Sequence, residues 1–517
     1  MMDLSPLLKQ SLAEYKAGRY EQAEALIREH LEAHPDDPMA VHQLAYAITA
    51  RGQAARDVAL QEEGYRVARR ALDLAPDEPR FRETYLNFAA MLRKVSDMLA
   101  LTEAWYRENP TDTRALWAHS AALQECCRFD EARQVYREGI ALNPGDPPFL
   151  ANFAAFSNYD DGMSARERFE IHLAVGQALA SLGTPQARHS NKPDPERKLR
   201  LGFVSPDFRL HSCMYFFEPL LENLDPAQFD VYLYHTLSIV DDVTARLKAR
   251  VKGFRMVGDG ANDGLGFKVW NDRIDVLIDL AGHTTGNRLA VLQGGPAPLQ
   301  GTYLGYPNTT GMSSVHFRLV DSITDPPGSE DLASEHLVRL DPCFLVFRPS
   351  ADACEPEPPP SLAGSGPVVF ASFNNAMKTS PTSLRLWARI LQECPGSVLL
   401  LKAGSFGQEH FRAQTAARLE ALGVSPDRFR LEGGTPNHRA HFQAYNRVDI
   451  ALDPTPYNGT TTTCEALLMG VPVVTLAGDR HASRVGASLL HAVDLPELIA
   501  DSEARYVEIA ARLAQDA

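Results

Sequence analysis

The segment Asp453-Pro-Thr-Pro-Tyr-Asn-Gly-Thr-Thr-Thr-Thr-Cys-Glu465, continuing as Ala-Leu-Leu-Met-Gly-Val-Pro-Val-Val474, carries more architectural information than any other in the chain. An apolar run at 448–452 predicts a strand that ends in a Pro/Gly turn. Four consecutive hydroxyls, Thr460, Thr461, Thr462 and Thr463, then open an amphipathic helix with Glu465 in its first turn. Strand, polar turn and helix N-terminus together make an anion site, because free backbone N–H groups and the positive end of the helix dipole converge there. A diphosphate is a natural occupant, with the threonine hydroxyls as extra donors and Glu465 placed to accept from ribose hydroxyls. The plainer reading is that the threonines only cap a helix. Four in a row after Asn-Gly exceed what one cap needs.

Outward from that segment, 517 residues are too many for one core and imply three or so domains. A formal net charge of -15 and a pI near 5.5 argue against nucleic-acid binding, which needs a basic face. No apolar run approaches the roughly twenty residues of a membrane span, and the N-terminus lacks the apolar core of a signal peptide. The expected location is the cytoplasm. The seven cysteines are scattered without Cys-x-x-Cys or Cys/His zinc spacing, so they read as reduced thiols and no metal site is expected.

Prolines recur at Pro35, Pro76, Pro110 and Pro144, with intervals of 41, 34 and 34 residues. That period belongs to helix-turn-helix repeats. The best unit, Leu116-Trp-Ala-His-Ser-Ala-Ala-Leu-Gln124 with Phe129, Ala132, Tyr136 and Pro144, resembles a tetratricopeptide repeat. Gly18, Tyr20, Ala23 and Pro35 match in the first unit. The longer interval implies an insertion of about seven residues around Gly52 to Gln61. Stacked pairs of this kind leave a concave surface suited to an extended peptide, or serve as a plain helical scaffold.

Helical character continues to about Ala187, with an amphipathic stretch at 165–182. After the polar run 189–197, short β-branched and apolar segments alternate with helices: strands are expected at 199–204, 230–234, 274–280, 299–304 and 317–320. A Pro/Glu/Ser-rich linker at 351–366 precedes a second series at 368–373, 398–402, 429–432, 449–452 and 471–476. Such alternation means parallel sheets covered on both faces, with ligands at the carboxyl ends of the strands. The expected architecture is α + α/β: a tetratricopeptide-like α-solenoid (1–150), a helical connection (151–197), and two Rossmann-like doubly wound domains (198–350 and 367–517). Two such facing domains with an anion site on the second describe the GT-B arrangement.

Candidate residues cluster at predicted strand ends. His211 follows the first strand and reads either as a general base or as a structural hydrogen-bonding group. His283 sits in the small-residue loop Leu280-Ala-Gly-His283-Thr-Thr-Gly-Asn-Arg288, and Pro307 in Leu304-Gly-Tyr-Pro-Asn-Thr-Thr-Gly311. Lys378, in Phe373-Asn-Asn-Ala-Met-Lys378, is placed to neutralise a departing diphosphate; alone it would read as a solvated charge.

From about residue 152 onward the chain resembles the glycosyltransferases that comprise protein O-GlcNAc transferase and the plant SPINDLY protein O-fucosyltransferase. The motifs are Gly202-Phe-Val-Ser-Pro-Asp-Phe208 with His211, Gly282-His-Thr284, Leu304 to Gly311, Ser372-Phe-Asn-Asn-Ala-Met-Lys378, the threonine run with Glu465, and His481-Ala-Ser-Arg-Val-Gly-Ala-Ser-Leu-Leu490. The resemblance implies metal-independent, inverting transfer of a sugar from a nucleotide diphosphate to protein Ser/Thr hydroxyls, with no cofactor and with the repeats binding the acceptor protein. It implies His211 as base and Lys378 as the leaving-group lysine. Asn375, Thr460, Thr461, Thr462, Glu465, His283, Pro307 and His441 would line the donor site. A histidine of the animal enzymes is replaced by Thr460, and an arginine by Ala444. The threonine run is closer to the SPINDLY branch, whose plant member uses GDP-fucose; UDP-GlcNAc, the donor that names the broader family, is the expected donor and GDP-fucose the alternative. The sequence stops at Ala517, earlier than the family's usual C-terminal helices, which leaves a catalytically weak repeat scaffold as a further alternative.

Overall fold

The computed structural model describes residues 5–55, 57–182, 189–258, 264–362, 364 and 366–516. The expected helical tail to about Ala187 and part of the 351–366 linker lie outside the described residues. The chain divides into two compact units, Met1–Cys126 and Cys127–Ala517.

The first unit is helix upon helix, and its repeat is written in the turns. Each recurring proline stands three residues before the next helix, and an acidic residue caps that helix. Asp37 accepts from the amides of Met39 and Ala40, Glu78 from Arg80, and Asp112 from Arg114. Proline at the first helical position of Pro38–Ala55 and Pro79–Met91 costs nothing, since that N–H has no intrahelical partner. The expected insertion does not form a loop. It lengthens both helices of the second pair to 18 and 17 residues, Pro38–Ala55 and Val58–Leu74. They pack so closely that a Cβ on Gly64 would fall 2.1 Å from the Thr49 hydroxyl.

The second unit opens with the helices Phe129–Leu142, Pro147–Ser157 and Ala165–Ala180, the first two joined by Tyr136 stacked on Phe153 at 4.9 Å. Two all-parallel sheets follow. The first comprises β1 (Leu199–Ser205), β2 (Phe229–His235), β3 (Gly253–Met256), β4 (Val276–Asp279), β5 (Leu299–Thr302), β6 (Phe317–Val320) and β7 (His336–Arg339), in the order β3-β2-β1-β4-β5-β6-β7. The second comprises β8 (Val369–Ser372), β9 (Val398–Lys402), β10 (Phe429–Glu432), β11 (Ile450–Leu452), β12 (Val473–Leu476) and β13 (Ile499–Ala500), in the order β10-β9-β8-β11-β12-β13. Every expected strand is present. β3, β7 and β13 are additional edge strands of four, four and two residues, too short to stand out in the sequence.

In both sheets the order reverses between the first and fourth strands of the series, β1/β4 and β8/β11. That reversal opens a crevice at the strand carboxyl ends, where ligands of such folds bind. The two sheets share one apolar cluster: Phe203, Phe217 and Leu233 of the first pack with Cys464, Val485 and Leu489 of the second. The helix Ala165–Ala180 lies against the loop after β5, and Gly176 and Gly311 permit this approach. A Cβ on either would stand 1.8 Å from a carbonyl oxygen of the other segment, and Gly311 has φ +74°.

Candidate functional site

The loops after β8 and β11 meet at the second crevice. Leaving β8, Asn375 accepts the Met377 amide and so caps a single 3-10 turn, Ala376–Lys378. That turn delivers Lys378, whose Nζ donates to the Asn458 carbonyl at 2.7 Å and lies 4.0 Å from the centre of the Tyr457 ring. Burial draws the Lys378 ammonium down to about 8, partly offset by the charge of Asp453. Asp453, at the end of β11, accepts the Gly459 amide and the Thr475 hydroxyl, both at 2.7 Å. Its burial pushes the carboxyl up to about 7.

The threonine run does not serve as a cap. Thr460 is the N-cap of the helix Thr461–Leu468 and makes no side-chain capping bond. The Thr462 hydroxyl donates to Asn374 Oδ1 at 2.9 Å, tying the run to the β8 loop, and Thr463 is buried. Thr460 and Thr461 remain half-exposed at the helix N-terminus, beside first-turn N–H groups that have no intrahelical acceptor. Gly459 is required here, because a Cβ would stand 2.5 Å from the Thr462 hydroxyl.

Glu465 is buried, and both its oxygens are engaged: Oε2 with His441 Nε2 at 2.9 Å and Oε1 with His438 Nε2 at 3.4 Å. Burial alone would raise this carboxyl, but the two histidines together hold it below the usual carboxylate range. His441 Nδ1 in turn faces Lys402 Nζ at 2.6 Å. An ammonium only donates, so Nδ1 accepts and the ring proton stays on Nε2, toward Glu465. Lys402, the last residue of β9, is 5% exposed, with its ammonium lowered chiefly by burial. A buried Lys402–His441–Glu465 chain therefore lines the β9 side of the crevice.

From the first sheet, the turn after β1 brings His211. Its Nδ1 lies 3.6 Å from Asp207 and accepts the Cys213 amide at 3.3 Å. Burial holds the imidazole below its usual value despite Asp207, so at neutral pH it is an unprotonated ring. Asp207, His211 and Cys213 present ligand atoms within 4.8 Å of one another. Burial pushes the Cys213 thiol up to about 12, so without an ion it stays protonated at neutral pH. His283, at the end of β4, is buried, donates Nε2–H to the Thr310 carbonyl at 2.8 Å, and is lowered to about 4 by desolvation. Pro307 is half-buried and follows Tyr306, whose hydroxyl meets Asn158 at 3.0 Å and His172 at 2.8 Å.

Tyr457 joins the halves. Its ring lies 4.8 Å from that of Tyr159, and its hydroxyl is raised well above the ordinary value by burial, with Tyr306 and Cys213 among its electrostatic neighbours. Lys378 and Tyr159 thus meet on one aromatic ring. The motif His481 to Leu490 forms the seam between the sheets. His481 Nδ1 meets Asp325 at 2.5 Å, Arg484 Nε donates to the Ile323 carbonyl at 2.6 Å, and the Ser488 hydroxyl donates to Asp321 at 2.5 Å.

A family model for glycosyl transferase family 41 matches residues 173–348 and 363–517. The chain belongs to this family. A relative in Petunia hybrida, named as a probable UDP-N-acetylglucosamine–peptide N-acetylglucosaminyltransferase SPINDLY, is 41% identical over 363 residues, 69% of this chain and 39% of that one. Its counterpart in Arabidopsis thaliana is 41% identical over 352 residues, 67% and 38% of the two chains. The chain therefore spans about two fifths of the length of these curated relatives. Among solved structures, a lysine-to-methionine variant of the Thermobaculum terrenum O-GlcNAc transferase matches with TM-score 0.78 and 29% identity, covering 99% of this chain and 89% of that one. The fold is that of a helical-repeat, GT-B member of family 41.

Several residues of the site escaped the reading of the sequence. Tyr457 and Asn458 lie inside the quoted turn, but nothing local shows that one supplies a ring and the other a carbonyl to Lys378. Lys402 closes an apolar strand, and a lysine there reads as a solvated end. His438 shares the face of His441, three residues away on the helix His438–Tyr445, and that spacing was a usable signal.

Proposed function

We propose that this family 41 chain transfers a sugar, GlcNAc first among the candidates, from a nucleotide diphosphate to Ser/Thr hydroxyls of a protein, with inversion and without a metal ion or cofactor. The observation that carries this reading is Lys378, held over Tyr457 beside the open N-terminus of the helix Thr461–Leu468 at the β8/β11 reversal. When the acceptor oxygen attacks the anomeric carbon, the bond from that carbon to the diphosphate oxygen breaks. The electron pair and the developing negative charge leave with the nucleotide diphosphate. The ammonium of Lys378, the first-turn N–H groups and the Thr460 and Thr461 hydroxyls stabilise that charge from fixed positions, the task a metal ion performs elsewhere. The acceptor proton passes to His211, whose ring is unprotonated and steadied by Asp207.

The donor's ribose and base occupy the β9 side, beside the Lys402–His441–Glu465 chain. Because both Glu465 oxygens already accept from histidines, the nucleotide meets a preset carboxylate–imidazole surface there. The relatives' printed names support UDP-GlcNAc and a peptide acceptor, which the helical repeats of the first unit would hold. Identity of 41% to SPINDLY relatives, against 29% to the Arabidopsis thaliana protein named SEC, keeps GDP-fucose as the second donor reading.

Calorimetric titration with UDP, GDP, UDP-GlcNAc and GDP-fucose tests the proposal. One nucleotide family should bind, and Lys378→Ala should weaken it. Absence of binding by all four would defeat the transferase reading.

A further inference from the structure

A second polar cavity, of about 190 Å³, lies between the helix Ala165–Ala180, the segment after β6 and the turn His481–Ser483. One water needs only ~10–15 Å³ of such space. The wall presents four guanidiniums, from Arg168, Arg318, Arg480 and Arg484, against two carboxylates, Asp325 and Asp479.

The carboxylates do not saturate these cations. Arg168, 2% exposed, reaches Asp479 only at 3.3 and 3.4 Å, and Arg480 Nε shares the same carboxylate at 2.9 Å. Arg318, 4% exposed, meets Asp325 through Nη1 at 3.4 Å, while Asp325 also serves His481. Its Nη2 is buried with no hydrogen-bond partner among the described residues. Arg484 spends Nε and Nη1 on the carbonyls of Ile323 and Gly478, which are neutral. Arg318 lines this roomy space of net positive charge, and a buried guanidinium donor left unmade beside it favours an acceptor there. Burial, and after it the like charge of Arg480, draw the Arg168 guanidinium down to about 10. An anion would relieve both.

We propose that this cavity binds a small oxyanion of the phosphate class at a site separate from the donor crevice. Planar guanidinium forks match tetrahedral oxyanions in two-point contacts, which a lysine-lined pocket does not offer. The cavity also abuts the support of Lys378. The carbonyl of Ala482, in the turn that forms the cavity wall, accepts the Asn458 amide at 2.8 Å, and the Asn458 carbonyl accepts Lys378. Occupancy would therefore steady the turn on which the donor-site lysine rests. The inference does not depend on which sugar or nucleotide is used.

The test is calorimetric titration of the full chain with inorganic phosphate at constant ionic strength. Wild type and Lys378→Ala should each bind one phosphate with a Kd at or below ~1 mM, and Arg318→Met should bind at least about tenfold more weakly. Should Arg318→Met fail to fold, Arg480→Gln at the cavity wall replaces it with the same expectation. No saturable binding in wild type overturns the proposal. So does loss of binding in Lys378→Ala, which would place the phosphate in the donor crevice, and so does unchanged binding in both arginine variants.

Discussion

The two sheets solve one local problem with the same parts and then diverge. After β4, Asp279 accepts the Gly282 amide at 2.6 Å and faces the hydroxyl of Thr302 on β5 at 3.3 Å. After β11, Asp453 accepts the Gly459 amide and the hydroxyl of Thr475 on β12. Each aspartate is buried, each carboxyl is raised to about 7, and each anchors a glycine turn at the strand reversal. The difference lies in the company. Asp453 stands near the ammonium of Lys378, and Gly486 approaches it so closely that a Cβ would fall 2.2 Å from Oδ2. Asp279 has one oxygen, Oδ1, buried without a partner among the described residues, and its turn leads to His283, a histidine bonded to backbone. One reversal has been elaborated into a charged centre; the other presents a neutral wall.

Substitutions at these positions would test that contrast. Lys378→Ala should lower kcat by about 10²–10³, the loss expected when a preorganised stabiliser of developing charge is removed. Steady-state kinetics would show it, and an equal loss on changing His283 to Ala would erase the asymmetry. Wild-type kcat/KM should also fall as pH rises through about 8, where Lys378 gives up its proton. Lys378→Arg, which keeps its charge, should lack that limb.

Asp453→Asn should reduce turnover by about tenfold, through loss of charge beside Lys378. Asp279→Asn should destabilise the fold by about 1–3 kcal/mol with a smaller change in turnover. Denaturant unfolding and initial rates, measured on both variants, separate the two roles.

The stability of both carboxyls carries a sign. Each native value near 7 lies above the unfolded value of about 4, so the folded chain holds these protons more tightly. Their contribution is full at low pH and is lost as pH rises from about 4 through about 7. Relative to wild type, the Asp279→Asn melting temperature should therefore improve steadily across that window; a parallel pH profile would show that the carboxyl does not titrate there.

The mildest effect is expected for Lys402→Met. It releases His441 Nδ1 and should raise KM for the donor a few-fold, about 1 kcal/mol, with kcat nearly unchanged. A drop confined to kcat would move Lys402 out of nucleotide binding.

Much of this was legible in advance because it is local. The recurrence of Pro35, Pro76, Pro110 and Pro144 announces helical repeats, and the alternation of β-branched runs with amphipathic stretches predicts parallel sheets. Deviations have equally local causes. Gly253–Met256 and His336–Arg339 are short strands with Arg255 and His336 in them, so no apolar run marks them. The insertion near Gly52 is visible as the longer proline interval, but that it lengthens two helices is decided by how closely they pack.

The partners of the site residues were a different matter. The spacing of Thr460 to Thr463 and Glu465 places an anion-seeking helix N-terminus after a strand, and the family motifs place His211 and Lys378 at strand ends. Those follow from backbone periodicity and residue type alone. That Glu465 is sealed by His438 and His441, that Lys378 leans on Asn458 and Tyr457, and that Arg318 converges with three other arginines on one cavity required the folded chain. Each of those contacts joins residues from separate elements, and which ones meet depends on strand order and on how the two sheets share one core.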